Sequence, residues 1–351
     1  MNQAEQIGEL CERAIRDRVF PGCVVGYLQD GKKTVLPFGG MTYGEGAEVV
    51  KADTVYDVAS ITKSIPTACL ALHLVELGLI SLDDKLIDYV PEVRNEYRDR
   101  ILIRHLLTYT VVFDFPHGLS KVARDHPDRI FEEIFTAPLL APPGMKYAYT
   151  NAPAMLLGLV IERISNKPLN EYANDVFGSL PMRHTSFSTG YDNMQSVAPT
   201  EVDWRGEVRG VVHDETAWAL RQTGRVAGHA GLFTTAADLL VFAKMLLNDG
   251  QYAGARYFMP ETITMMHTNQ LSIPGESTGM GWELRQALLP DGVGSDQVFG
   301  KTGFTGCVLV IDPKMKRAFS YVSNKTYPRR PKTREGIRAF RFELAKILFK
   351  Q

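Results

Sequence analysis

The order of strand-like and helical patterns along the chain limits its fold more than any single motif. Near the start, two short apolar runs at 23–28 and 34–38 flank Asp30-Gly31, a hairpin signal because both turn residues tolerate positive φ. Strand character then fades and returns only at 297–299, 307–311 and 318–322, with Asp312-Pro313 and Lys314 in the last turn. Helical spacing fills much of the interval. It runs from Ser60 to about Leu77, with Leu70, Leu74 and Leu77 on one face, and recurs at 151–164, Ala236–Leu247 and Pro260–His267. Further helices at 5–18 and 333–348 close the two ends. Strands at both ends with a helical middle suggest one sheet assembled from both termini, so the pattern predicts an α/β (α+β) chain. A sheet domain is expected from residues 1–59 and 226–351, and a mostly helical domain from 60–225.

Composition narrows the function classes. The 351 residues are 45% hydrophobic and 23% charged, ordinary for a folded chain, and the formal net charge is −1. No overall field draws such a chain to nucleic acid or an anionic membrane, so neither is expected as a partner. The locally basic stretch Lys325, Arg329, Arg330, Lys332 and Arg334 reads as a solvated loop leading into the last helix. No apolar run reaches the roughly 20 residues of a membrane span. The start of the chain is polar and acidic (Glu5, Glu9, Glu12), unlike a signal peptide, which makes a cytoplasmic protein the expectation. Cys11, Cys23, Cys69 and Cys307 lack CxxC spacing and are expected as buried free thiols.

Three short motifs carry residue types suited to acyl transfer. In Ser60-Ile61-Thr62-Lys63, a spacing of three puts the amine near the hydroxyl on one helical face. A serine needs a base, and lysine serves only if burial or another cation lowers its pKa. The helix N-terminus would also aim free N–H groups at the reacting centre. Alone the motif means little, since about one S-x-x-K arises by chance in a chain of this length. Tyr149-Thr150-Asn151 offers a phenol to relay a proton and an amide to hold substrate, although Asn151 also suits a helix N-cap. Lys301-Thr302-Gly303 offers a fixed cation for a substrate carboxylate, with a glycine that lets substrate approach an edge strand. It would fall between the strand ending near Phe299 and the one starting near Cys307.

Taken in order, these motifs resemble the serine β-lactamase and D-Ala-D-Ala peptidase (penicillin-binding protein-like) superfamily. The closest likeness is to its class C-like branch, where tyrosine opens the middle motif. Phe20-Pro21-Gly22, Asp57-Val58-Ala59, Pro143-Gly144 and Gly228-His229-Ala230-Gly231-Leu232-Phe233 extend the likeness over most of the chain. Val212-His213-Asp214-Glu215, and Asn324 with Pro328, are similar to a subgroup with esterases and muropeptide amidases. The resemblance implies an antiparallel sheet flanked by helices beside a helical domain, with the site between them. It implies Ser60 as nucleophile, Lys63 and Tyr149 as general base and acid, and Asn151, Lys301, Thr302 and Gly303 at the substrate. The N–H groups of Ser60 and Phe304 would form the oxyanion hole.

The implied reaction is hydrolysis of an ester or amide (a β-lactam, D-amino-acid peptide or muropeptide) through an acyl-Ser60 intermediate, without metal or cofactor. A promiscuous carboxylesterase and a non-catalytic penicillin-binding module are the alternatives. The sequence Leu106-Leu107-Thr108-Tyr109-Thr110-Val111-Val112 departs from relatives that carry histidine and Ser-Gly there. Pro66 should interrupt the first helix. The G-x-S-x-G match at 275–279 lacks a preceding strand and reads as a loop, and His213 and His229 read as structural or cleft-lining rather than metal ligands.

Overall fold

The hairpin expected around Asp30-Gly31 forms as β1 (Gly22–Gln29) and β2 (Lys32–Gly39), and Asp30 and Gly31 both have positive φ, 52° and 72°. The computed structural model describes residues 1–115, 118–187 and 194–349. The late strands are β3 (Glu283–Leu284), β4 (Phe299–Thr302), β5 (Val308–Asp312) and β6 (Arg317–Ser323). With the hairpin they make a six-stranded sheet in the order β2-β1-β6-β5-β4-β3, antiparallel throughout. The sheet therefore joins the two ends of the chain.

Both faces of the sheet are covered, so its central strands carry apolar runs rather than strict alternation. All of Val308–Asp312 is buried. On one side the terminal helices Gln3–Arg16 and Glu335–Leu348 pack over Phe20, Phe319 and Tyr321 through Leu10, Phe340 and Leu344. On the other, Ala318 and Val322 belong to the core that holds the Ala236–Leu247 helix, and Ser320 Oγ donates to Ala236 O at 2.8 Å. Successive residues of β6 thus serve opposite layers, as a pleated strand requires. The Ala236–Leu247 and Pro260–His267 helices occupy their expected bounds. All four cysteines are buried and free. No described helix is long and apolar enough to cross a membrane.

Two expectations need correction. The segment from Ser60 is not one helix. Ala59–Lys63 is a 3-10 turn, Ser64–Ala68 a wide π turn, and an α-helix starts only at Cys69. The break falls at Ile65, which is extended (φ −116°, ψ 112°), beside Pro66 with no N–H to give. The strand expected at 297–299 instead spans Phe299–Thr302, so Lys301 and Thr302 lie within it, opposite Leu309 and Val308. Pairing with a buried neighbour overrides the weak strand preference of Gly300 and Lys301.

Candidate active site

Asp57 sets the geometry of the Ser60 turn. One carboxylate oxygen accepts from Ala59 N and the other from His213 N, each at 2.7 Å. The first bond accompanies a left-handed Ala59 (φ 46°), which turns the chain sharply into the 3-10 segment. Burial pushes the Asp57 pKa up to about 6, although both N–H bonds oppose the shift. Asp57→Ala leaves two enclosed donors unpaired and should lower stability by about 2–4 kcal/mol in urea unfolding.

In a 3-10 turn, residues i and i+3 eclipse, so Lys63 stands over Ser60. The two atoms Nζ and Oγ are 2.9 Å apart, and Nζ also donates to the His229 carbonyl at 3.0 Å. Lys63 is buried, with 1% of its surface exposed. Burial, then repulsion from Lys301, lowers its pKa to about 7 against the opposing pull of Asp214 and Glu283. Near neutral pH a large share of Lys63 is therefore an uncharged amine with a lone pair beside the hydroxyl.

Tyr149 approaches Ser60 from the other side and is hydrogen-bonded to it. The residue as a whole is 40% exposed, and it lines the cavity that contains Ser60. Crowding around its hydroxyl, reinforced by Glu283, holds its pKa well above the ordinary value, so the phenol stays protonated. The Lys301 ammonium lies 4.1 Å from the centre of the Tyr149 ring and 5.3 Å from that of Tyr109. Tyr109, in the loop that departs from the expected pattern, thus packs against the site.

Lys301 is fully buried and ion-paired with Glu283 at 3.0 Å, and Thr302 Oγ1 donates to the same carboxylate oxygen at 3.0 Å. Burial alone would lower Lys301, but Glu283 outweighs it and keeps the ammonium above its ordinary range. One lysine of the site is therefore held charged while the other gives up its proton easily.

The remaining predicted residues are also present. Asn151 precedes the Ala152–Ser165 helix, but its side chain makes no cap bond, and its amide points at Asp214 Oδ2 across 3.5 Å. Among the described residues, the backbone N–H groups of Ser60 and Phe304 have no acceptor outside helices and strands and are left facing the cleft lined by Ser60 and Phe304. A Cβ at Gly303 would meet Val58 O at 2.4 Å, so the glycine lets the end of β4 close against the Ser60 turn.

Several neighbours lie outside the three motifs. Glu283 sits on a two-residue strand with no periodicity. Asp214 accepts from His229 Nε2 at 2.9 Å and caps the Glu215–Gln222 helix. The basic stretch is not a solvated loop throughout. Lys325 is only 7% exposed and, with Arg334 and Arg341, lines a cavity of about 100 Å³ that also contains Ser60 and Tyr149. Burial and the two guanidiniums push Lys325 down to about 8. Among the described residues, none of the three has a carboxylate within ion-pair distance. The Gly275 loop lies between the Pro260–His267 helix and β3, remote from any strand–turn–helix elbow. Among the described residues no cluster is suited to a metal ion.

A serine between a buried lysine and a protonated tyrosine, on a helix-flanked antiparallel sheet, defines the class of serine hydrolases that use lysine in place of histidine. The comparisons agree. The family model described as Beta-lactamase matches residues 9–341, and the chain belongs to that family. A protein of Escherichia coli (strain K12), provisionally named D-alanyl-D-alanine carboxypeptidase, is 30% identical over 306 residues, covering 78% of this chain and 70% of its own length. The Beta-Lactamase/D-Alanine Carboxypeptidase from Pseudomonas syringae shares the fold with a TM-score of 0.77 at 19% identity, over 99% of both chains. EstCE1, a hydrolase with promiscuous acyltransferase activity, does so with a TM-score of 0.77 at 20% identity, over 99% of this chain and 98% of its own. The protein is a serine hydrolase.

Proposed function

We propose that the enzyme cleaves small peptides ending in a free carboxylate, of the D-alanyl type, through an acyl-Ser60 intermediate. The observation that carries this reading is the cavity where Lys325, Arg334 and Arg341 converge beside Ser60 and Tyr149, with no acid among the described residues that line it. Lys301, the carboxylate anchor suggested by its motif, is already ion-paired with Glu283. It acts instead on the proton affinity of Lys63.

Neutral Lys63 takes the Ser60 proton as Oγ attacks the carbonyl. The new oxyanion accepts from the N–H groups of Ser60 and Phe304. Tyr149 gives its proton to the departing nitrogen and recovers one from the Lys63 ammonium, which lies 5.3 Å from its ring centre. Water then repeats the sequence on the acyl-enzyme and restores Ser60. Asn151 and Thr302 line the path of the substrate.

Two measurements follow. The acidic limb of kcat/KM should fall near pH 7, the Lys63 value. Lys301→Gln should move that limb to higher pH, because the repelling cation is lost while Asp214 and Glu283 remain. For the anchor, Arg341→Met should raise KM for a carboxylate-terminated peptide about tenfold, with a smaller effect on a neutral ester. A substrate panel of D-alanyl peptides, a chromogenic cephalosporin and short p-nitrophenyl esters tests the reading as a whole. A promiscuous carboxylesterase is the second reading, favoured by the pairing of Lys301 with Glu283. Rapid ester hydrolysis with no gain from a substrate carboxylate would select it.

A further inference from the structure

Ser60 and Phe304 separate two cavities of opposite charge. The first is the basic one, about 100 Å³, with Tyr149 in its wall. The second, about 150 Å³, is lined by His213, Asp214, Glu215 and Arg330. Because Tyr149 supplies the proton to the leaving group, the leaving group occupies the basic side and the acyl unit occupies the second cavity.

The charges of the second cavity favour a cation. Arg330 is bound by two carboxylates, Glu201 and Glu215, each at 2.8 Å. Asp214 adds a third carboxylate, so among the side chains lining this space two acids, Asp214 and Glu215, face one permanent cation, Arg330, which Glu201 also binds. The two oxygens of Asp214 are used unequally. Oδ1 accepts from His229 Nε2 and from Thr216 N and Ala217 N at 2.9–3.0 Å. Among the described residues, Oδ2 has only the 3.5 Å approach of Asn151. His213 supplies an independent sign of a missing ligand: it is 2% exposed and stacks on Phe304, its Nδ1 faces Glu201 Oε2 at 3.6 Å, and its Nε2 has no hydrogen-bond partner among the described residues. Burial and the Arg330 cation hold its pKa down near 3, so its ring stays neutral and keeps a lone pair to accept a proton donor.

We propose that the acyl unit of the substrate carries a free ammonium group, received by Asp214 Oδ2 and the neutral ring of His213. The substrate class is then a short zwitterion, with its amine on the acyl side of the scissile bond and its carboxylate on the leaving side. A cavity of this size admits one small residue and no long N-acyl chain. The inference rests on the acyl-Ser60 peptidase reading above and adds the N-terminal limit to it.

The test compares D-alanyl-D-alanine with N-acetyl-D-alanyl-D-alanine on the unmodified enzyme and on Asp214→Asn, following D-alanine release. The unmodified enzyme should favour the free dipeptide at least about tenfold in kcat/KM. Asp214→Asn retains an acceptor for Thr216 and Ala217 but loses the charge, and should bring the ratio toward one. Equal or faster cleavage of the acetylated peptide would overturn the inference alone, as would a ratio unchanged in Asp214→Asn. If neither peptide is cleaved by protein that still takes up a serine-reactive phosphonate at Ser60, the peptidase reading fails and the inference with it. The unmodified comparison decides the matter if the variant does not fold.

Discussion

Ser60→Ala should lower hydrolysis of any acyl substrate by about 10⁵-fold while leaving the fold intact. The side chain is small, and the turn that presents it is fixed by Asp57 and by backbone bonds that alanine keeps. Residual turnover would reflect binding and the paired N–H groups of Ser60 and Phe304, which can polarise a carbonyl for attack by water. Circular dichroism and the melting temperature of the variant should match those of the parent. A loss of less than about tenfold would mean that another group performs the attack.

Lys63→Met should cost about 10³-fold in kcat/KM, the range of a lost general base. Unlike most substitutions of a fully buried residue, it should also raise the melting temperature at neutral pH. The Lys63 pKa falls from 10.5 in a free side chain to about 7 in the folded protein, mainly through burial. Its contribution to stability therefore drops as pH falls from the first value to the second, and stays low below it. Methionine fills a similar volume without that cost. Lys63→Arg should be equally inactive but gain no stability, because a guanidinium keeps its charge in the same dry space. The opposite signs of the activity and stability effects separate the loss of a base from general damage to the site.

The proximity of Ser60 and Lys63, the proposed nucleophile and base, was legible for a reason that does not depend on the type of helix. A spacing of three brings Ser60 and Lys63 together on an α-helix and aligns them even more directly in the 3-10 turn that forms. Long amphipathic segments were legible because their apolar faces repeat, as in Ala236–Leu247 and Pro260–His267. Glu283 was not. Its two-residue strand has no period, and its role depends on lying beside Lys301 after β4 is placed. The basic stretch failed for a related reason. A run of lysine and arginine normally faces water, whereas here Phe304 and the last helix gather Lys325, Arg334 and Arg341 around one cavity. Asp214, His213 and His229 were visible as family-like residues, but their division between Lys63, Asn151 and an open cavity emerges only from distances across the fold.

Serine acylation with lysine as the base is tested most directly by intact-mass measurement after exposure to a serine-reactive phosphonate or a penicillin, across pH 5–9. The expected result is a single adduct per chain, mapped to the peptide containing Ser60, absent from Ser60→Ala, and formed faster as pH rises through about 7. No adduct on the unmodified protein, or the same adduct on Ser60→Ala, would contradict the mechanism.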